Sequence, residues 1–156
     1  MFNLQRVLFP TDFSELSLQA MKYARNFAET FKAELHVINV VDEAALYWTA
    51  VAPNSVPIGP SIDELTDIAE NEMQKFVQAH LADLKAPMVT EVLTGRPFME
   101  IIKYARDHAI ELIVIGTHGR SGLHHVLLGS VAEKIVRKAP CPVLTIRHPE
   151  HEFVMP

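Results

Sequence analysis

A single cysteine, Cys141, stands in 156 residues. No intramolecular disulfide framework can form, and one thiol suits a reducing cytosol. Nowhere does an uninterrupted apolar run approach the ~18 residues of a membrane span. The opening Met1-Phe2-Asn3-Leu4-Gln5-Arg6 has no basic region followed by a long apolar stretch and a small-residue cleavage site, so no secretion signal is expected. Basic residues are few: 14 Lys and Arg against 19 Asp and Glu give a net charge of -5. A duplex nucleic-acid binder normally carries a basic surplus or stripe, so nucleic acid is not an expected partner. What is present is apolar, at 49% with only 21% charged, which excludes a disordered or collagen-like chain. The length fits one domain on a scale of roughly 100–200 residues. The expectation is a single cytoplasmic domain without membrane insertion, spanning 1–148, with a polar tail over 149–156.

Two kinds of apolar segment alternate along the chain. Val7-Leu8-Phe9, halted by Pro10, reads as a first strand. Leu16, Ala20, Tyr23, Ala24, Phe27, Ala28 and Phe31 recur at helical spacing and predict one amphipathic face. Leu35 to Val41 reads as a second strand, followed by a loop with Pro53, Pro57, Pro60 and the pair Tyr47-Trp48. Ser61 and Glu64 form a capping box ahead of a helix with Leu65, Ile68, Ala69, Phe76, Val77, Leu81 and Leu84 on its inner face. Met88 to Leu93, closed by Thr94-Gly95, is a third strand, and Pro97 opens a helix facing inward through Phe98, Ile101, Ile102 and Ala105. Leu112-Ile113-Val114-Ile115 is apolar throughout, as a strand buried on both faces must be. A helix from about Ser130 to Lys138 and a strand over Pro142 to Ile146 complete the pattern.

Strands alternating with helices predict an α/β fold, a single doubly wound five-strand parallel sheet with helices on both faces. Such a sheet reverses direction once, and ligands bind at the carboxyl ends of the strands where it does. A strand order of 3-2-1-4-5 puts that crevice between strands one and four. The loops facing it are then Pro10 to Ser14 and Gly116 to Gly129. Four of the six glycines lie in the second loop. Glycine lets backbone N–H groups approach a ligand, and Gly129-Ser130 opens a helix whose N-terminus favours an anion. The same glycines also fit a set of plain turns, with Ser130 and Glu133 as an ordinary capping box. No Gly-Lys-Ser/Thr follows the loop, and no Gly-x-Gly-x-x-Gly follows the first strand, so neither a P-loop nor a dinucleotide fingerprint is present.

Gly116-x-x-Gly119, nine residues and then Gly129-Ser130 resembles the ATP-binding signature of the universal stress protein family. The opening Val7-Leu8-Phe9-Pro10-Thr11-Asp12-Phe13-Ser14, the strand end Val40-Val41-Asp42 and the closing Ala139-Pro140-Cys141-Pro142-Val143-Leu144 look like that family too. The resemblance implies the ATP-binding branch and an adenine-nucleotide-binding α-hydrolase-like sheet. By position it implies that Gly116, Gly119, Gly129 and Ser130 surround the phosphates, with further amides from Val131 and Ala132. Pro10, Thr11 and Asp12 would lie against ribose and adenine, and the main chain at Val40 would read the adenine edge. Ile115, Thr117, His118 and Arg120 complete the expected nucleotide-binding set. The cofactor implied is ATP, or ADP or AMP, with Mg2+ or Mn2+ held on the phosphates rather than by a protein metal site.

Several residues carry a second reading. Asp12 and Ser14 each suit a helix N-cap. His118 and Arg120 suit a phosphate but equally a solvated loop. His124-His125, His148 and His151 show no structural-zinc spacing, and Cys141 between two prolines lacks a nearby base. Three classes of function follow: a nucleotide-binding regulatory or sensor protein of the stress response; an ATP-using enzyme; or a binding module acting through protein contacts without nucleotide. The enzyme class calls for Ser-Gly-Gly-x-Asp-Ser or His-x-Gly-His, and neither occurs; slow ATP hydrolysis is the most catalysis expected. The apolar last strand, with Val143, Leu144 and Ile146, lies on an edge in this order and invites pairing with a second copy, a homodimer contact that the resemblance also implies.

Overall fold

A computed structural model describes residues 3–44, 59–117 and 128–147. Five strands, β1 (Arg6–Pro10), β2 (Glu34–Asp42), β3 (Met88–Gly95), β4 (Leu112–Gly116) and β5 (Val143–Ile146), form one parallel sheet in the order β3-β2-β1-β4-β5. Among the described residues four helices connect them: α1 (Glu15–Phe31), α2 (Ile62–His80), α3 (Pro97–Asp107) and α4 (Ser130–Lys138). The predicted strand order and alternation are both present. Among the described residues no helix is long and apolar enough to cross a membrane.

Strand alternation divides the core into two layers. Val7 and Phe9 of β1, Leu35 and Val37 of β2 and Val114 of β4 pack on one face with α1 and α2. Leu8, Ile38, Ile113 and Ile115 pack on the other with α3 and α4. Central strands covered on both faces must be apolar at every position, and Val7, Leu8 and Phe9 are all fully buried. Removing Phe9 down to alanine would cost about 3–5 kcal/mol on this account.

The helix faces differ in part from those that periodicity predicts. On α1 the buried positions are Ser17, Ala20, Met21, Ala24 and Ala28, while Tyr23 and Phe31 are 49% and 37% exposed. The alanine row at i, i+4 and i+8 lets the helix axis approach the sheet closely, which turns the aromatic flank outward. On α2 Ala69, Met73 and Phe76 are buried and Ile68 is exposed; on α3 Tyr104 joins Ile101 and Ala105 inside. The capping box at Ser61 and Glu64 forms reciprocally, with Glu64 N–H donating to Ser61 Oγ at 3.2 Å and Ser61 N–H to Glu64 Oε2 at 3.3 Å.

Beneath α3 lies a buried polar group that the sequence reading did not single out. His36 on β2 is 3% exposed, with Nε2 2.9 Å from Glu34 Oε1 and Nδ1 2.9 Å from the Tyr104 hydroxyl. A carboxylate only accepts, so Nε2 carries the proton and Nδ1 accepts from Tyr104. His108 stacks on the Tyr104 ring at 3.8 Å between centroids. Burial lowers the His36 pKa against the opposing pull of Glu34, with small further lowering from His108 and Arg6. Burial, then Glu91 and Glu34, pushes the Tyr104 hydroxyl up to about 12. A histidine pKa depressed on folding adds stability above the unfolded value of 6.5 and loses it as pH falls through the folded value. Urea unfolding should therefore show wild type losing stability between neutral pH and pH 5 more steeply than His36→Gln. Parallel slopes would contradict this assignment.

Candidate functional site

The β1–β4 junction is where the sheet opens. Strands β1 and β2 pair over five residues, whereas β1 and β4 pair only at Val7↔Leu112 and Leu8↔Ile113. Past that point the two strand ends diverge around a cavity of about 430 Å³. From the first strand it is lined by Pro10, Thr11 and Asp12, and from β2 by Ile38, Asn39, Val40 and Asp42. The β4 side supplies Ile115, Gly116 and Thr117, and the start of α4 supplies Gly129, Ser130, Val131 and Ala132. The structure thus gathers eleven of the residues singled out from the sequence around one space. His118, Gly119 and Arg120 lie outside the described residues, as do Tyr47-Trp48, His124-His125 and the tail.

Ser17, Ile38, Asn39, Asp42, Pro97 and Ile101 also line the cavity, and the sequence pattern assigns none of them to the site. Asn39 is a polar residue set between the apolar Ile38 and Val40 of β2. Its side chain is 8% exposed, and Nδ2 donates to the Thr11 carbonyl at 2.8 Å. Thr11 N–H donates to the Ile38 carbonyl at 2.9 Å, and Thr11 Oγ1 lies 3.0 Å from Ser17 Oγ. Thr11 is therefore committed to the scaffold by its amide, carbonyl and hydroxyl.

Asp12 and Ser14 divide the two roles open to them. Ser14 is the N-cap of α1 and accepts from Ser17 N–H. Asp12 Oδ1 accepts from both the Ser14 amide, at 3.0 Å, and the Ser14 hydroxyl, an Asx turn that fixes its carboxylate. Between them Phe13 adopts φ 62, a left-handed conformation unusual for a bulky residue, and its ring packs on Phe76 at 5.8 Å.

At the opposite wall the N-cap of α4 is Gly129, not Ser130, with no side-chain capping bond. The ordinary capping box is thus replaced by an open helix N-terminus. Gly129 has φ -62 and ψ 154, a backbone any residue adopts, so the turn itself does not demand a glycine. Its amide donates to the Thr117 carbonyl at 2.6 Å, anchoring the helix start to the end of β4. The lining side chains include the carboxylates of Asp12 and Asp42 and no cationic group among the described residues. Nor do the described residues hold a cluster of three His, Cys, Asp or Glu able to bind a metal ion. An anion here would meet backbone amides, hydroxyls and a helix dipole rather than lysine or arginine.

The sheet order and its switch-point cleft define a doubly wound α/β protein, a topology whose ligands bind at the carboxyl ends of the strands where the order reverses. Comparison with known proteins narrows the class. The model of the universal stress protein family matches residues 3–147. The chain is 36% identical to universal stress protein MJ0531 of Methanocaldococcus jannaschii over 151 residues, 95% of this chain and 85% of that protein. It is 31% identical to YxiE of Bacillus subtilis over 150 residues, 94% of this chain and 100% of that one. The solved structure of MJ0577, also from Methanocaldococcus jannaschii, matches with a TM-score of 0.80 at 30% identity, covering 96% of this chain and 99% of that one. The chain belongs to the universal stress protein family.

One glycine, at the end of β3, is required by the backbone. Gly95 has φ +143, and a Cβ there would stand 2.8 Å from Glu100 Cγ, while its carbonyl accepts from Glu43 N–H at 3.3 Å. Gly95→Ala should cost roughly 1–3 kcal/mol. Urea denaturation will measure it; a loss below the error of the method would refute this reading.

Proposed function

We propose that the cleft binds an adenine nucleotide, with ATP as the leading ligand, and that the protein acts as a regulatory nucleotide-binding member of its family. The observation that carries this reading is the start of α4. A nine-residue helix opens on the cavity through Gly129, a glycine whose backbone angles do not call for glycine. What its missing side chain supplies is close approach to the amides of the first turn, as a phosphate requires. Gly116 at the end of β4 faces the same space. Pro10 to Asp12 and the main chain at Val40 would receive the nucleoside, and Gly119, His118 and Arg120 are assigned to the phosphate side by sequence position. Two solved proteins of the same fold lend support to the ligand class: a universal stress protein in complex with cAMP and one from Arabidopsis thaliana with AMP bound. At 20% and 18% identity they share the fold and speak only for themselves.

An acidic wall fits a divalent cation shared with the ligand. Asp12 and Asp42 offer hard oxygen donors, the chemistry Mg2+ or Mn2+ takes, and too few of them for a site built from protein alone. The ion would sit on the phosphates and would neutralise the charge that the wall cannot.

A ligand that binds only the native state adds RT ln(1 + [L]/Kd), about 2.7 kcal/mol at a hundredfold excess, and raises Tm by several degrees for a domain of this size. Wild type should show that rise with Mg-ATP. Gly129→Asp, which places a carboxylate where a phosphate would lie, should lose the rise and keep a cooperative transition. No rise and no heat on titration at millimolar ATP would overturn the nucleotide reading in favour of a module working through protein contacts.

We also propose a homodimer through β5. Among the described residues this strand pairs only with β4, and Val143, Leu144 and Ile146 are half-buried along the outer edge of the sheet. Light scattering at micromolar concentration should give twice the 17.5 kDa chain mass, and Leu144→Lys should shift the species towards monomer. A wild-type mass of one chain would reject the contact.

A further inference from the structure

We propose that the buried His36–Tyr104 pair is a proton-sensitive latch beneath α3, and that a second proton on the His36 ring loosens the α3 wall of the cleft. The effect on ligand binding rests on the nucleotide reading above; the latch itself belongs to the free protein.

The chemistry starts from the one ring nitrogen still able to take a proton. Nε2 already donates towards Glu34, and Nδ1 accepts from the Tyr104 hydroxyl at 2.9 Å. A second proton can enter only at Nδ1. The bond then reverses: Nδ1–H must donate to the hydroxyl oxygen, and the hydroxyl hydrogen must turn away from the ring. Among the described residues that hydroxyl bonds no other acceptor, and burial, then Glu91 and Glu34, keep it from ionising. A buried donor left without an acceptor is costly, so the protonated ring and Tyr104 cannot both keep their places.

Two connections lead from the pair to the cleft. His36 and Ile38 lie two apart on β2 and so share a face, and Ile38, Ile101 and Tyr104 pack in one buried cluster. Ile101 is three residues from Tyr104, and both are buried on the inner face of α3. Ile38, Ile101 and Pro97, the first residue of α3, all line the cleft. A move of Tyr104 away from β2 therefore reaches the cleft wall within one helical turn.

Four elements place ionisable groups around the latch. Burial opposes a charge on His36 most strongly, Glu34 on β2 favours it, and His108 on α3 and Arg6 on β1 oppose it further. Glu91 on β3 acts on Tyr104. The His108 ring stacks on Tyr104 and stands 5.9 Å from that of His36, while its Nδ1–H donates to the Tyr104 carbonyl at 3.0 Å. The balance lowers the His36 pKa from 6.5, so the latch is closed at neutral pH and opens on acidification.

The test is amide hydrogen exchange of the free full chain from about pH 8 to pH 5, the range in which a histidine switches, corrected for the intrinsic pH dependence of exchange. Helix α1 is the internal reference, because global unfolding lowers the protection of both helices together. On acidification α3 should lose at least about fivefold more protection than α1, the lower end of ordinary coupling between sites. His36→Gln should abolish that difference. Glu34→Gln keeps an acceptor for Nε2 but removes the charge that favours the imidazolium, so it should hold α3 protection to lower pH than wild type; it also serves if the first variant fails to fold. Equal losses in the two helices overturn the latch, as does a loss that persists in His36→Gln or an unmoved midpoint in Glu34→Gln. The coupling to the cleft is read by calorimetry with Mg-ATP across the same range, with His36→Gln cancelling the titration of the ligand itself. Wild type should lose at least about fivefold more affinity than the variant. Equal losses overturn the coupling. If neither protein binds ATP at any pH, the nucleotide reading fails and the coupling with it, while exchange still decides the latch.

Discussion

A missing hydrogen atom at Pro10 governs the architecture of the cleft. Backbone N–H groups alternate in direction along a strand. Thr11 N–H points to β2, where it meets the Ile38 carbonyl, and Glu34 N–H reaches back to Gln5. Residues of even number in β1 therefore face β4, as the bond from Glu111 N–H to the Arg6 carbonyl shows. Pro10 is one of these, and it has no N–H to offer. The ladder with β4 accordingly stops at Leu8↔Ile113, while the ladder with β2 continues to Pro10↔Ile38. One strand of the sheet's central pair stays attached on its left and lets go on its right. The space so opened is bounded by main chain and short side chains, and both α4 and the Asp12 turn are aimed into it.

The architecture was legible because the strands that matter are buried on both faces. Leu112 to Ile115 and Val7 to Phe9 admit no other environment, and alternation with helices leaves few ways to connect them. Helix faces were less legible. Tyr23, Phe31 and Ile68 look like core by spacing, yet alanines and methionines occupy the contact, because close helix–sheet approach favours small or pliable side chains over large ones. The buried His36 escaped notice for a related reason: its neighbours Tyr104 and Glu34 are brought to it by pairing and packing, which periodicity does not describe.

Around the cleft the glycines and the Pro10-Thr11-Asp12 segment stood out because they are unusual for their positions. Asn39, Asp42 and Ser17 did not, since a lone polar residue in a strand or at a helix start is common. The bond from Asn39 to the Thr11 carbonyl exists only once β1 and β2 are in register. Ser130 shows the reverse error available to sequence reasoning: with Glu133 three residues on, it fits a capping box, and the structure instead assigns the cap to Gly129.

That last difference bears on how an acidic protein would hold an acidic ligand. A serine at the cap would have satisfied an amide of the first turn with its own oxygen. With glycine there, no side-chain oxygen competes at the mouth of α4, and the helix dipole is left to act outward. The described wall contributes carboxylates and no cation, so attraction for a phosphate falls to backbone amides and to whatever cation the ligand brings. Amides of this kind are fixed by the fold and cost nothing to reorient. Their orientation depends on the anchoring of α4 to β4 through Gly129 and Thr117, and hence on the same divergence of β1 from β4 that Pro10 initiates.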